Sequence, residues 1–165
     1  MYTCGEMIVY GIHGVCRVLD IETRSVDKKQ VEYYVLEPLE QPGTRYYIPT
    51  QNQAAMAKLR PVLRKEELQT LLKSIKSSNW IPDENQRKQL YKTLICNTDP
   101  AALIGIVCTL HKQKDELISS GKKFHLCDEN FLRDAEKLLV SEFSLILNID
   151  QQDVRDYVQK IVVKD

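Results

Sequence analysis

The first third of the chain contains short runs in which hydrophobic, β-branched and aromatic residues predominate. Turn-forming residues separate these runs, at 11–14, 27–29 and 41–43. Short runs of this composition are typical of β-strands. The pattern predicts a small, strongly bent antiparallel sheet or barrel of four or five strands. The clearest runs are 7–10, 15–21, 31–36 and 45–48.

After Pro61 the hydrophobic residues recur every three or four positions, which is typical of amphipathic helices. Asp99 can cap a helix with Pro100 at its first position, Gly121 can end one, and Asp150 can cap the last one. The pattern therefore predicts five helices. Their apolar stripes are Leu68, Leu71, Leu72 and Ile75; Leu90, Leu94 and Ile95; Leu103, Val107, Leu110, Leu117 and Ile118; Phe131, Leu132, Ala135, Leu138, Leu139, Phe143 and Ile146; and Val154, Tyr157, Val158 and Ile161.

The change of period predicts two domains and an α+β fold class. A small antiparallel β-barrel is expected at residues 1–61, and a compact all-α domain of about five helices at 62–165. Two domains of this size are physically reasonable, because a chain of about 60 residues can still fold alone.

The only tryptophan lies in a polar segment between the first two predicted helices. Ser, Asn and Pro residues at 76–83 favour an exposed loop, and Pro82 can begin the following helix. That helix carries Arg87, Lys88 and Lys92. Trp80 is therefore a candidate contact residue; the alternative is that its indole caps the junction between the two helices.

The charge of the chain limits the possible nucleic-acid functions. Lys and Arg number 23, as do Asp and Glu, so the formal net charge is zero. Both predicted domains are neutral as well, with seven basic and seven acidic residues before residue 62 and sixteen of each after it. Affinity for phosphates depends largely on Lys and Arg contacts. If the protein meets DNA, another molecule is expected to bring it there.

Composition predicts a cytoplasmic protein with no membrane contact. Hydrophobic residues make up 43% of the chain and charged residues 28%, close to the average for soluble domains. No apolar run approaches the roughly 20 residues that a membrane-spanning helix needs. Residues 1–20 also lack the pattern of a signal peptide.

The five cysteines do not predict a disulfide framework, because their number is odd and no two form a C-x-x-C pair. Cys108 and His111 are one helical turn apart, so a zinc site can be imagined with other Cys and His residues. Structural zinc sites usually take closely spaced ligand pairs. We therefore expect buried thiols, with no metal and no other cofactor.

Several motifs resemble, in order and spacing, the polymerase-interacting module that bacterial CarD/CdnL regulators share with the transcription-repair coupling factor. The C-terminal run 121–132 is similar to the helical domain of the CarD/CdnL branch. The chain has no Walker A sequence of the kind that the coupling factor's helicase domains need. The N-terminal motifs are Gly5-Glu6-Met7-Ile8-Val9-Tyr10, His13-Gly14, Ile21-Glu22-Thr23-Arg24, Tyr33-Tyr34-Val35-Leu36 and Ile48-Pro49-Thr50.

The resemblance implies a Tudor-like β module that binds the protrusion lobe of the RNA polymerase β subunit, largely by pairing strand edges. Arg24 matches the arginine of the family's Ile-Glu-Thr-Arg motif and is the first candidate for a polymerase contact. Where the family has a second basic residue, this chain has Tyr47, and Arg45 lies two positions away on the same face of the strand. Gly11 also stands where the family usually has proline.

The resemblance further implies a contact with promoter DNA at the upstream edge of the transcription bubble. Trp80 matches the family's tryptophan, which wedges at that edge. Stacking on an unstacked base contributes about 1 to 3 kcal/mol, or a factor of about 5 to 150 in lifetime. Basic residues that could support the wedge are Arg87, Lys88 and Lys92 on the next helix, and Lys122 and Lys123 further on.

The expected function is that of a non-enzymatic transcription regulator, a monomer that stabilises the open promoter complex and reaches the nucleoid through the polymerase. A polymerase that already holds the protein at the promoter removes the need for tight intrinsic DNA binding. One alternative is a free-standing nucleic-acid-binding module, which predicts steeply salt-dependent binding to oligonucleotides. Another is an enzyme with a Cys–His pair, which needs an exposed, low-pKa thiol near an imidazole.

Overall fold

The computed structural model describes residues 1–74 and 79–162. The chain forms two compact units, one of Met1–Val62 and one that begins at Leu63. The first unit is built on a β-sheet and the second on α-helices, so the predicted α+β class is confirmed.

The first unit contains one antiparallel sheet with the strand order β4-β3-β2-β1-β5. Its strands are β1 (Met7–Tyr10), β2 (Val15–Val26), β3 (Lys29–Pro38), β4 (Tyr46–Pro49) and β5 (Leu59–Pro61). Inward-facing hydrophobic residues cover one face of the sheet and form its core, as the alternating pattern requires. The buried members of this core are Ile8, Cys16, Val18, Tyr34, Leu36, Ile48 and Leu59.

The hairpin of β2 and β3 is longer than the hydrophobic pattern predicts. Val26 pairs with Lys29, so Asp27 and Lys28 alone make the turn. Their φ angles are 50° and 64°, as in a type I′ turn, which matches the twist of the flanking strands. Apart from the exposed Val26, the residues near this turn are polar, and their pairing in the sheet therefore leaves little hydrophobic signal in the sequence.

Strand β5 falls outside the four clearest predicted runs. Leu59–Pro61 contains an arginine and a proline, and neither is typical of a strand centre. The segment pairs because β1 presents an open edge, with Val9 opposite Arg60. A short helix, α1 (Gln53–Met56), precedes it.

The second unit contains five helices among its described residues, as the five apolar stripes predict. They are α2 (Lys65–Ser74), α3 (Glu84–Asn97), α4 (Pro100–Ser119), α5 (Leu126–Leu147) and α6 (Gln151–Val162). Their apolar faces bury a common core. Its largest fully buried side chains include Leu68, Leu103, Ile106, Leu110, Leu139 and Phe143.

The predicted start and end of α4 are confirmed. The Asp99 side chain accepts from the Ala102 amide, and Pro100 is the first helical residue. At the other end Gly121 has φ 69°, which favours glycine, and the amide of Lys122 donates back to the Leu117 carbonyl. This bond belongs to a Schellman stop.

The beginning of α3 differs from its prediction. The helix begins at Glu84, and the Asp83 side chain caps it by accepting from the Gln86 amide. Pro82 therefore precedes the cap and does not begin the helix. Asp83 competes better for the cap because its carboxylate accepts a hydrogen bond from a free helix amide.

Two residues of the predicted apolar stripes lie on the surface. Leu90 is 42% exposed and Ile118 is 57% exposed. The buried row of α3 is instead Arg87, Tyr91 and Ile95. Ile75 and the side chain of Ile161 lie outside the described residues, as does the part of the predicted Trp80 loop at 76–78.

The five cysteines are free thiols in different environments. Cys16 and Cys108 are buried, as predicted, and burial raises the pKa of the Cys16 thiol to about 12. Cys4 and Cys96 are exposed, so the prediction of buried thiols is wrong for these two. Cys4 lies before the first strand and Cys96 on the outer side of α3, and neither position needs an apolar side chain.

Candidate interaction sites

Arg24 on β2 lies against Tyr47 on β4, and both side chains reach the outer face of the sheet. The guanidinium carbon is 3.9 Å from the centre of the Tyr47 ring, a cation–π distance. Nη2 and Nε of Arg24 donate to one carboxylate oxygen of Glu22 at 2.7 and 3.0 Å. We call these three residues the Arg24 cluster.

The Arg24 cluster is pre-formed and open to solvent. The side chains of Arg24 and Glu22 are 46% and 32% exposed. Glu22, and to a lesser extent Tyr47, raises the pKa of Arg24, which is charged at any physiological pH in any case. Two residues predicted to contact polymerase are therefore in direct contact with each other, while Arg45 is exposed just before β4.

Strand β4 is an edge of the sheet whose outward groups can be assigned. The Thr50 amide donates to the Glu32 carbonyl, and Tyr33 pairs with Pro49. Because hydrogen-bonding direction alternates along an antiparallel strand, Tyr47 and Pro49 direct their backbone groups away from β3. The open edge thus offers the Tyr47 amide as a donor and the Tyr47 carbonyl as an acceptor, while the outward Pro49 carbonyl already accepts from the Asn52 amide at 3.1 Å.

Trp80 lies four residues before the start of α3 and is half-buried against the helical core. The guanidinium carbon of Arg87 is 4.2 Å from the centre of the Trp80 ring. Nη1 of the same arginine donates to the carbonyls of Ile81 and Pro82 at 2.8 and 3.3 Å. Arg87 therefore contacts both the indole and the backbone that follows it.

Arg87 is buried, with 2% of its surface exposed. Its Nε and Nη2 donate to the two carboxylate oxygens of Asp128 on α5, each at 2.8 Å. Asp128 is 1% exposed and raises the pKa of Arg87 above its usual value. The DNA contact predicted for Arg87 therefore has no accessible donor in this structure, and the geometry gives this residue an internal role.

The predicted DNA-contacting lysines all reach solvent. Lys88 is 41% exposed and pairs with Glu84 one turn earlier on α3. Lys92 is exposed one turn further along the same helix, and Lys122 and Lys123 are exposed between α4 and α5. Lys92, Lys122 and Lys123 can meet an anion directly, whereas Lys88 would have to leave Glu84. The DNA contacts of all four lysines stay predictions.

Two residues of these sites have no counterpart among the predicted site residues. Glu22 is two positions before Arg24 in the same strand, so the period of the strand could have suggested it. Asp128 is 41 residues from Arg87, and nothing local in the sequence marks the two as partners.

The described residues contain no group of three or more His, Cys, Asp or Glu side chains that could hold a metal ion. His111, which the sequence offers as a partner for Cys108, instead contacts Glu136, with Nε2 2.6 Å from Oε1. In the same part of the chain, no helix is long and apolar enough to cross a bilayer.

Comparison with protein-family models matches residues 2–63 to the CarD-like/TRCF RID domain. The match spans almost the whole first unit, which is therefore a Tudor-like domain of an RNA polymerase-interacting transcription factor family. The domains of this family are non-enzymatic interaction domains. Such a domain implies interaction with the polymerase β subunit. A comparison with curated proteins finds no match.

The first unit thus belongs to the CarD-like/TRCF RID domain family, which confirms the family resemblance of the N-terminal motifs. The match lies in the N-terminal unit.

Proposed function

We propose that this protein is a transcription regulator that holds the RNA polymerase β subunit with its first unit and promoter DNA with its second. The DNA contact would lie at the upstream edge of the transcription bubble and would stabilise the open promoter complex. The observation that carries the proposal is the Arg24 cluster beside an open strand edge, in a domain of the CarD-like/TRCF RID family.

Strand β4 is the edge that fits a strand of the β-subunit protrusion. Its outward amide and carbonyl at Tyr47 can continue a backbone ladder into a partner strand. The Arg24 cluster lies beside this edge on the outer face and adds side-chain contacts. Backbone pairing would supply affinity, and Arg24 with Tyr47 would supply specificity.

The second unit supplies one aromatic residue for DNA. Trp80 is half-buried, so part of its indole remains available to an unstacked base. Exposed Lys92, Lys122 and Lys123, and partly exposed Lys88, can approach phosphates. Arg87 is not among the proposed DNA contacts because its guanidinium is buried with Asp128.

A neutral protein can act in this way because the polymerase would bring it to the promoter. Once one unit is bound, the other meets its target at a high effective concentration. Weak contacts by a tryptophan and a few lysines are then sufficient. The proposal therefore predicts a small effect of the protein on DNA alone.

The test is the lifetime of open complexes on a promoter with an unstable bubble, with and without the protein. Wild type is expected to prolong the lifetime. Trp80→Ala should lose about 5- to 150-fold, the value of one stacked base, and still bind polymerase. Arg24→Glu should lose polymerase binding itself.

Two matched controls make the result specific. Arg17→Glu reverses an exposed charge on the same strand as Arg24, and Leu90→Ala removes an exposed apolar side chain from α3. Both should behave as wild type. If wild type leaves the lifetime unchanged and binds oligonucleotides with a steep salt dependence, the protein is a free-standing nucleic-acid module instead.

A further inference from the structure

The indole of Trp80 packs against the helical core and also lies against the side chain of Arg87, which is itself buried. Arg87 donates from Nη1 to the carbonyls of Ile81 and Pro82, and its guanidinium carbon lies 4.2 Å from the centre of the indole ring. Its other contacts, from Nε and Nη2, go to Asp128 on α5. One guanidinium therefore joins the segment before α3 to the start of α5.

Asp128 is necessary for this arrangement. A guanidinium with 2% exposure is removed from water, and only a carboxylate with two oxygens in its plane can match its fork of donors. The pair fixes the position of the Arg87 guanidinium, whose carbon lies 4.2 Å from the centre of the indole ring. The position of Trp80 thus depends on a residue that does not contact it through any described bond.

We propose that Arg87 and Asp128 form a buried positioning pair that fixes the indole of Trp80 for its contact with DNA. The inference rests on the proposed function for the DNA contact, but the positioning itself can be measured without DNA. Neither residue would touch the nucleic acid. Arg87 and Asp128 would restrict the Trp80 side chain before binding, so that less conformational entropy is lost when it binds DNA. This is how preorganisation raises affinity.

Trp80 is the only tryptophan of the chain, so its fluorescence reports this one site. Asp128→Asn keeps the shape of the side chain and removes the charge that orients Arg87. We expect the emission maximum to move to longer wavelength and acrylamide quenching to increase, because the indole becomes more accessible. Open complexes should lose part of the gain that Trp80→Ala loses entirely.

A double variant separates positioning from folding. Arg87→Met with Asp128→Leu replaces both charges by apolar side chains, a change that proteins tolerate far better than the loss of one partner. Circular dichroism should show that the helices remain. The fluorescence shift and the shortened open-complex lifetime should nevertheless match those of Asp128→Asn.

Glu136→Gln is the matched control. It neutralises a carboxylate on the same helix, α5, and weakens the contact with His111. A general loosening of the helical unit would change Trp80 fluorescence in this variant as well. Unchanged fluorescence and lifetime in Glu136→Gln, with both changed in Asp128→Asn, are the expected results.

The outcomes distinguish the two proposals. If Trp80→Ala has no effect on open complexes but Asp128→Asn shifts the fluorescence, the positioning pair stands and the DNA contact fails. If Trp80→Ala shortens the lifetime while Asp128→Asn and the double variant change neither fluorescence nor lifetime, the positioning pair is wrong. Equal fluorescence changes in Glu136→Gln would also overturn it.

Discussion

Tyr47 occupies a position where the family resemblance leads us to expect a basic residue, and the exchange changes the chemistry of the site. A second positive charge would repel Arg24, whereas the tyrosine ring attracts it at 3.9 Å. Arg24 is therefore held from two sides, by the ring and by Glu22. The site therefore presents one oriented cation and an aromatic surface to a partner. A site with two basic residues would instead present two cations, which would favour a partner with two acidic residues.

His13 is the residue whose protonation should change stability. Its ring lies 5.0 Å from the Tyr10 ring and 4.4 Å from the Tyr46 ring, centre to centre. Partial removal from water, and then the charge of Lys58, lower the pKa of His13 below its ordinary value of 6.5. The neutral imidazole is thus the form that suits the folded state.

We predict that the free energy of unfolding falls as the pH is lowered from about 6.5 to below the pKa of His13 in the folded protein. Above about pH 6.5 the imidazole is neutral in both the folded and the unfolded chain, so the contribution is complete there. Below that pH the unfolded chain takes up the proton first, and the loss is complete below the folded pKa. Urea unfolding of wild type and His13→Phe at several pH values measures this loss of stability, because phenylalanine keeps a ring and cannot titrate. An imidazole pKa above 6.5 by NMR would contradict the prediction.

At the scale of elements, the sequence best predicts helix ends, where a residue such as Asp, Pro or Gly acts on backbone groups close to it in the chain. The cap at Asp99 with Pro100, and the stop at Gly121, depend only on backbone groups a few residues away. Such contacts are set by local chemistry, so the pattern of residues is sufficient to find them.

Helix α3 is less predictable because its buried row includes a charged residue. Leu90 is apolar and exposed, while Arg87 is charged and buried. The reason is Asp128, which compensates the charge from another helix. Strand β5 depends on distant residues in the same way, because it pairs only where β1 has an open edge.

The β2–β3 turn gives a prediction about stability. Asp27 and Lys28 both have positive φ, and a lysine there costs about 1 kcal/mol relative to glycine. Lys28→Gly should therefore raise the free energy of unfolding by roughly that amount, measured by urea denaturation. Lys29→Gly is the control: it lies one residue later, inside β3, where glycine weakens the strand. Equal effects of the two substitutions would mean that φ at Lys28 is not the cause.

On the scale of the whole molecule, the two units carry different parts of the proposed function. The first has the edge of β4 with the Arg24 cluster, and the second has Trp80 with exposed lysines. The chain as a whole has no net charge. If the proposed function is right, the covalent connection to the polymerase-binding unit brings the second unit to DNA. In an independent DNA-binding protein, a basic surface does this by attracting phosphates.

Lengthening that connection should weaken the DNA contact alone. An insertion of about 20 Gly and Ser residues between Val62 and Leu63 would let the ends separate by about 25 Å and lower the effective concentration of Trp80 at the promoter. We expect unchanged affinity for polymerase and a shorter open-complex lifetime than with wild type. A Pro-free insertion of two residues serves as the control. An unchanged lifetime with the long insertion would show that tethering is not what brings Trp80 to DNA.

Pro49 gives the edge of β4 a further property. Its nitrogen carries no hydrogen, so of the two outward positions on this strand only Tyr47 can donate. An unbroken row of donors and acceptors would accept any extended chain, and copies of the protein could stack through it without limit. With one donor the edge can pair with a short, chosen strand, yet it makes a poor template for fibrils. If β4 binds the polymerase as proposed, Pro49 lets this edge stay open to one partner while it makes pairing between copies less favourable.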